Sequence, residues 1–293
     1  MIVYVSGATG FVGSHVAREL REQGAEVRDE RVDLLDSDAL ERVIEGCDAV
    51  VHVAALYSYD APELEFERVN VEGTRTILAA ALAKGVRRFL HTSTAGTCGP
   101  VPGAIATEED EPPEWELTVP YKRTKLESER LALAAGAVVV NPTTPVGEGD
   151  AKPTPTGQMI EDVASGRIHG YVATTGLNVV DVRDVARGHA LALEKGEPRE
   201  RYLLGGVNLR LDEVFAVVAD LAGRPRPELR VPYSFAVAAA KAGLANAEEV
   251  KLARIPMYFS SEKARSRLGY EPGPVEPALA RATAEALTRK GGA

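Results

Sequence analysis

Gly7, Gly10 and Gly13 stand directly behind the apolar run 1–5 and ahead of a stretch, residues 11–23, that Gly24 closes. The run is too short for a helix, and its β-branched residues suit a buried strand. The stretch behind it alternates in the manner of a helix. Strand, glycine turn and helix in that order constrain the fold more than any other part of the chain. A tight turn requires a residue without Cβ, and a pyrophosphate requires close backbone approach. A helix N-terminus supplies unpaired N–H groups and a positive dipole. The expected occupant is a dinucleotide, held by Gly7, Thr9, Gly10, Phe11, Val12 and Gly13.

Apolar strands recur at 47–55, 86–94 and 137–140, separated by helical stretches at 64–84 and 121–135. Continuous apolar strands alternating with helices predict an α/β fold: a Rossmann-type, doubly wound parallel sheet with helices on both faces. Residues 1–146 are expected to form this dinucleotide-binding domain, with 178–190 returning to it. Residues 147–293 would form a smaller mixed C-terminal substrate lobe that includes the strand 201–204. One interval is too short. Only Ala25 to Val32 separate Gly24 from Asp33, whereas a parallel pair needs a crossover of about a dozen residues. Either the sheet is abbreviated or a loop is missing after Val27, and the second reading is preferred. A dinucleotide fold normally chooses in this interval between a ribose hydroxyl and a 2′-phosphate. Arg28 hints at the phosphate and Asp29 at the hydroxyl, so the cofactor is NAD or NADP with the choice open.

With 43 acidic against 34 basic residues, the chain carries a net charge of -9. That excess excludes a nucleic-acid surface. Cys47 and Cys98 make no disulfide framework, and neither they nor the five histidines show metal-ligand spacing, so no metal is expected. The alanine-rich stretch 235–247 is interrupted by Lys241 and Gly243 and is too short to span a bilayer. The fold begins at Met1 and leaves no room for a signal peptide, which predicts a cytoplasmic protein.

Tyr121 and Lys125 lie four apart on an expected helix and share one face. A phenol titrates at about 10, and acid–base catalysis near neutrality asks for about 7. An ammonium and a cationic nicotinamide ring are the expected sources of that shift. A hydroxyl at a neighbouring strand tip should complete the group. Ser93 and Thr94 both offer one but point to opposite faces, so only one can serve.

The segments Gly7–Gly13, Asp33-Leu34, His52–Ala55, Asn70–Thr74, Thr92–Ala95, Tyr121–Lys125 and Asn141-Pro142 together resemble the extended short-chain dehydrogenase/reductases. Within them the chain is similar to hopanoid-associated sugar epimerases and dihydroflavonol 4-reductases. The resemblance covers essentially the whole chain. It implies that Thr94 is the catalytic hydroxyl, with Ser93 as the fallback, and that Tyr121 moves the proton. Lys125 would hold the nicotinamide ribose, Asp33 and Leu34 would border the adenine, Ala54 and Ala55 would line the cofactor, and Pro142 would approach the nicotinamide. Asn70 would order the site through a helix distortion or a water. Asp181 departs from the pattern, since relatives often carry His there. No pair of arginines for a nucleotide-sugar diphosphate stands out, and Arg210, Arg230 and Arg254 are the candidates. The implied function is epimerase or dehydratase chemistry on a small molecule, a nucleotide-sugar among the candidates. The alternatives are an NADPH-dependent ketone or aldehyde reductase and a non-catalytic cofactor-binding protein. A homodimer is implied by the resemblance alone.

Overall fold

A computed structural model describes residues 1–57 and 61–291. Strand β1 (Ile2–Ser6) runs into the glycine turn and helix α1 (Phe11–Glu22), and β2 (Glu26–Arg28) returns beside β1. Helix α2 (Ser37–Ile44) and β3 (Ala49–His52) follow. Next comes one helical run made of α3 (Glu63–Phe66), a π-helical turn (Glu67–Glu72) and α4 (Gly73–Ala83). Then come β4 (Arg88–Thr92), α5 (Pro120–Ala134) and β5 (Val138–Pro142).

Alternation along β1 explains the two layers. Val3 and Val5 face one way and join Val16 and Leu20 of α1, while Tyr4 faces the other way and joins Leu40, Ile44 and Ile77 of α2 and α4. Each fully buried aliphatic side chain in these layers contributes roughly 1.5–3 kcal/mol. A sheet buried on both faces is therefore the stable home for strands that read apolar throughout.

In this sequence the interval after Val27 is short and holds no further strand. β2 has three residues, and the chain passes from Arg28 to Ser37 without a second strand, so the sheet is abbreviated at this edge. The interval cannot hold two strands and their connection, and the chain closes by omitting one.

The second half holds β6 (Thr144–Val146), α6 (Pro155–Ala164), β7 (Gly170–Val172), β8 (Gly176–Asp181), α7 (Val182–Lys195) and β9 (Arg201–Leu204). After them come β10 (Val207–Arg210), α8 (Leu211–Leu221), β11 (Leu229–Val231), α9 (Tyr233–Lys241), α10 (Ala247–Leu252), α11 (Glu262–Leu268) and α12 (Glu276–Gly291). The main sheet is parallel in the order β2-β1-β3-β4-β5-β9. Thus the strand at 201–204, read from sequence as part of the smaller lobe, is the far edge of the main sheet. The 178–190 segment divides. β8 pairs with β6 and β10 in a separate three-stranded sheet, and α7 packs beside α1 over the main sheet. Helices α6, α8 and α12 enclose a second apolar cluster around Ile160, Phe215 and Leu279. Among the described residues no helix is long and apolar enough to cross a membrane.

Candidate active site

The glycine turn is shaped for a ligand that must touch backbone. Gly7 has φ +73°, and a Cβ there would lie 2.7 Å from the Ala54 backbone. At Gly13 a Cβ would lie 2.1 Å from the Gly7 carbonyl oxygen. The helix N-cap, Gly10, offers no side chain to the first turn of α1, and no acidic residue occupies that turn. Its free N–H groups and dipole thus remain for an anion. The residues read as cofactor contacts, from the turn through Asp33, Leu34, Ala54, Ala55 and Pro142, all line one cleft of about 1530 Å³. An ordinary small-molecule pocket has roughly 300–1,000 Å³, so this cleft has room for two ligands side by side.

Neither sequence hint about the ribose survives as a choice. Arg28 turns away from the cleft and donates to the carbonyls of Val43 and Glu45 at the C-terminal end of α2. Asp29 lines the cleft but is ion-paired with Arg21 at 2.6 Å.

Tyr121 occupies the first turn of α5 behind Pro120, whose fixed φ suits that position. Its ring stacks on Tyr57 with centroids 4.5 Å apart. Burial raises its pKa well above the ordinary phenol value, and Tyr57 adds to the rise, while a hydrogen bond with the Thr94 side chain opposes it. The lowering expected from Lys125 together with a cationic nicotinamide ring belongs to the cofactor-bound site, whereas the chain's own groups raise the phenol. One N–H of the Lys125 ammonium donates to the Thr92 carbonyl at 2.7 Å, and desolvation of the phenolate is the dominant influence on Tyr121. Tyr121 is therefore a neutral O–H in the chain by itself.

Thr94 accepts a hydrogen bond from the Gly96 backbone N–H at 3.3 Å and caps a short 3-10 turn at Ala95–Thr97. Ser93 also touches the cleft, but its hydroxyl is buried without a partner. Between the two strand-tip hydroxyls, the one beside the phenol is Thr94.

Burial pulls the Lys125 ammonium down from 10.5 to about 8, with Glu129 opposing the fall. A folded pKa below the unfolded one means that carrying the charge costs the fold. The cost is full below about 8 and fades as pH climbs towards 10.5. Lys125→Met is accordingly expected to stabilise the ligand-free protein at pH 7 by about 1–3 kcal/mol. The gain should shrink in thermal melts repeated at rising pH, and a destabilised variant would contradict the assignment.

Asn70 sits inside the π-helical turn, so the helix distortion anticipated there is present. Its amide accepts from the Leu56 N–H at 2.8 Å and donates to the Leu56 carbonyl and the Thr124 hydroxyl. One side chain thereby joins the loop after β3 to the helix bearing Tyr121.

Two buried clusters went unread in the sequence. Lys122 lines the cleft wall and lies 3.2 Å from the fully buried Glu116. Its ammonium crosses the place a Cβ on Gly96 would fill, which explains that glycine. Glu129 accepts from Thr97, Asn141 and Arg201 at 2.6–2.8 Å, and Asn141 also donates to the Thr94 carbonyl. A signal existed for Glu129, which continues the four-residue spacing of Tyr121 and Lys125. None existed for Glu116.

None of the three arginines considered for a diphosphate lines the cleft. Arg210 holds Asp212 through two bonds of 2.9 Å, Arg230 donates to the Tyr171 hydroxyl, and Arg254 lies over the Trp115 ring. Asp181 caps α7 and pairs with Arg281. His52 bridges Ser6 and Thr74 and is held neutral by burial, its pKa near 3. Among the described residues no cluster of His, Cys, Asp and Glu could hold a metal.

Residues 3–205 match the profile of the NAD dependent epimerase/dehydratase family. A putative dihydroflavonol 4-reductase from Synechocystis sp. is 36% identical, over 94% of this chain and 92% of that protein. Sterol demethylase protein B from Methylococcus capsulatus is 33% identical, over 79% of this chain and 78% of its own length. The crystal structure of a nucleoside-diphosphate-sugar epimerase from Pseudomonas aeruginosa superposes with a TM-score of 0.84 at 27% identity. It covers 100% of this chain and 98% of that one.

Proposed function

The chain belongs to the NAD dependent epimerase/dehydratase family, and from that premise we propose that it catalyses NAD(P)-linked reduction of a carbonyl compound, or the reverse oxidation of the alcohol. The observation that carries this reading is the wall on which Thr94, Tyr121 and Lys125 meet beside the glycine turn in one cleft. The cradle fits a dinucleotide by its absent Cβ atoms and its uncapped helix end. When bound, that cofactor supplies a hydride to the carbonyl carbon and is itself oxidised.

The remaining steps belong to the chain. Gly7, Gly10 and Gly13 admit the pyrophosphate, Asp33 and Leu34 border the adenine, and Ala54, Ala55 and Pro142 flank the dinucleotide. Lys125 holds the nicotinamide ribose. Thr94 donates to the substrate oxygen and orients the C=O group. Tyr121 gives its phenolic proton to that oxygen as the carbon accepts hydride, so C=O becomes CH–OH and a phenolate remains. Burial holds the phenol protonated in the chain by itself, so the proton that reduction needs starts on Tyr121. The relative named as a putative dihydroflavonol 4-reductase supports the reductive direction. A cytoplasmic homodimer is part of this reading, and the exposed Leu64 and Leu82 on the α3–α4 run support a helical interface.

The second reading is an epimerase or dehydratase of nucleotide-sugars, in which hydride leaves and returns while the cofactor stays bound. The solved epimerase at 27% identity favours it. Denaturing the purified protein and weighing any released nucleotide separates the two. A reductase is expected to release little and to take up reduced cofactor reversibly. Stoichiometric NAD or NADH carried through purification would overturn it in favour of the recycling enzyme.

A further inference from the structure

The half of the cleft facing the smaller lobe is walled by Met159, Ile168, Tyr171, Leu177, Phe215 and Leu252. Tyr171 and Phe215 meet edge to face, with ring centroids 6.1 Å apart. All but Leu252 belong to the cluster that packs the lobe together. This apolar wall is thus fixed by folding and is not a loose collection of side chains.

Among the described residues, the smaller lobe lends the cleft no arginine, while three acids border it. Asp150, Asp162 and Glu249 all border the cleft. Arg210, Arg230 and Arg254 are bound elsewhere, as described above. Lys152 is an exposed cation on the loop after β6. That loop also carries Asp150 two residues earlier, so it brings no net positive charge to the cleft. A buried diphosphate requires paired cations, usually arginines in bidentate contact, and without them it stays in water. An apolar body, by contrast, gains from every part of this wall that it covers.

Resting on the hydride-transfer reading above, we infer that the substrate is an uncharged ketone or aldehyde with an apolar body, and not a nucleoside diphosphate sugar. Its carbonyl meets Thr94 and Tyr121, and its body lies along Leu177, Phe215 and Leu252.

The test is calorimetric titration of the protein saturated with whichever oxidised cofactor it binds. Acetophenone and decanal serve as apolar probes and UDP-glucose as the charged one. Acetophenone or decanal is expected to bind, and UDP-glucose neither to bind nor to displace it. Leu252→Arg should weaken the bound probe by about tenfold or more while leaving cofactor affinity unchanged. Met257→Arg on the same cleft lining replaces it should that variant fail to hold cofactor. Binding of UDP-glucose in competition with the apolar probes would overturn the inference, as would silence from both apolar probes or an arginine variant without effect. The parent reading fails separately. With reduced cofactor in place of the oxidised one, decanal that binds, is excluded by the arginine, and yet takes up neither hydride at its carbon nor a proton at its oxygen would remove the reductase while leaving the apolar occupant in place.

Discussion

Tyr121→Phe is expected to lower kcat for carbonyl reduction by roughly 10²–10⁴-fold, the range in which a positioned general acid contributes. The change removes one oxygen from a ring that stays stacked on Tyr57. The melting temperature and the affinity for reduced cofactor should therefore hardly move. The contrast is diagnostic, because a variant that lost structure would lose all three together. In the proposed mechanism the phenol is the group that gives its proton to the substrate oxygen, and Lys125 keeps one N–H on the Thr92 carbonyl. Single-turnover measurement with saturating decanal and reduced cofactor reads the chemical step directly. An unchanged rate would remove Tyr121 from the mechanism.

Gly13→Ala should abolish useful cofactor binding. The new methyl would sit 2.1 Å from the Gly7 carbonyl oxygen and 2.7 Å from its carbon. Both are backbone atoms of the turn itself, so relief requires moving the cradle. Overpacking of this kind costs about 1–3 kcal/mol of stability. The larger effect falls on the ligand, whose pyrophosphate depends on backbone N–H groups placed to within a fraction of an ångström. A loss of about 100-fold in affinity, near 2.7 kcal/mol, is expected from fluorescence titration with reduced cofactor. Gly24→Ala is the control. It meets no atom within 4 Å but has φ +84°, so it should cost stability alone. Equal cofactor affinity in the two variants would show that the cradle is not where the dinucleotide lies.

The parts of this architecture legible in the sequence are those fixed by local rules. Glycines without room for a Cβ, strands apolar on both faces and a four-residue spacing on one helix each carry their meaning in a window of a few residues. The parts that were misread depend on distant partners. The strand at Arg201–Leu204 looks the same whether it pairs with β5 or within the smaller lobe, and its place became visible only with the Val139–Arg201 register. Glu116 and Lys122 are divided by a proline and a change of element, and their pairing follows from a turn geometry that no spacing rule anticipates. The depth at which Tyr121 and Lys125 lie is likewise invisible in their spacing, and in the chain by itself burial outweighs the helix neighbour.

The borders of the main sheet bear on how this protein keeps company with itself. A strand with an unpaired edge is a template on which another chain can crystallise into fibres. Here one border is the three-residue β2, with Glu26 and Arg28 on it. The other border, β9, is shielded by the loop before α5, where the Leu203 N–H is already taken by the Glu108 carboxylate and Arg201 donates to the Glu108 carbonyl. Too short on one side and covered on the other, the sheet offers no rung for a stranger. Crowding should therefore not drive open-ended growth of the sheet.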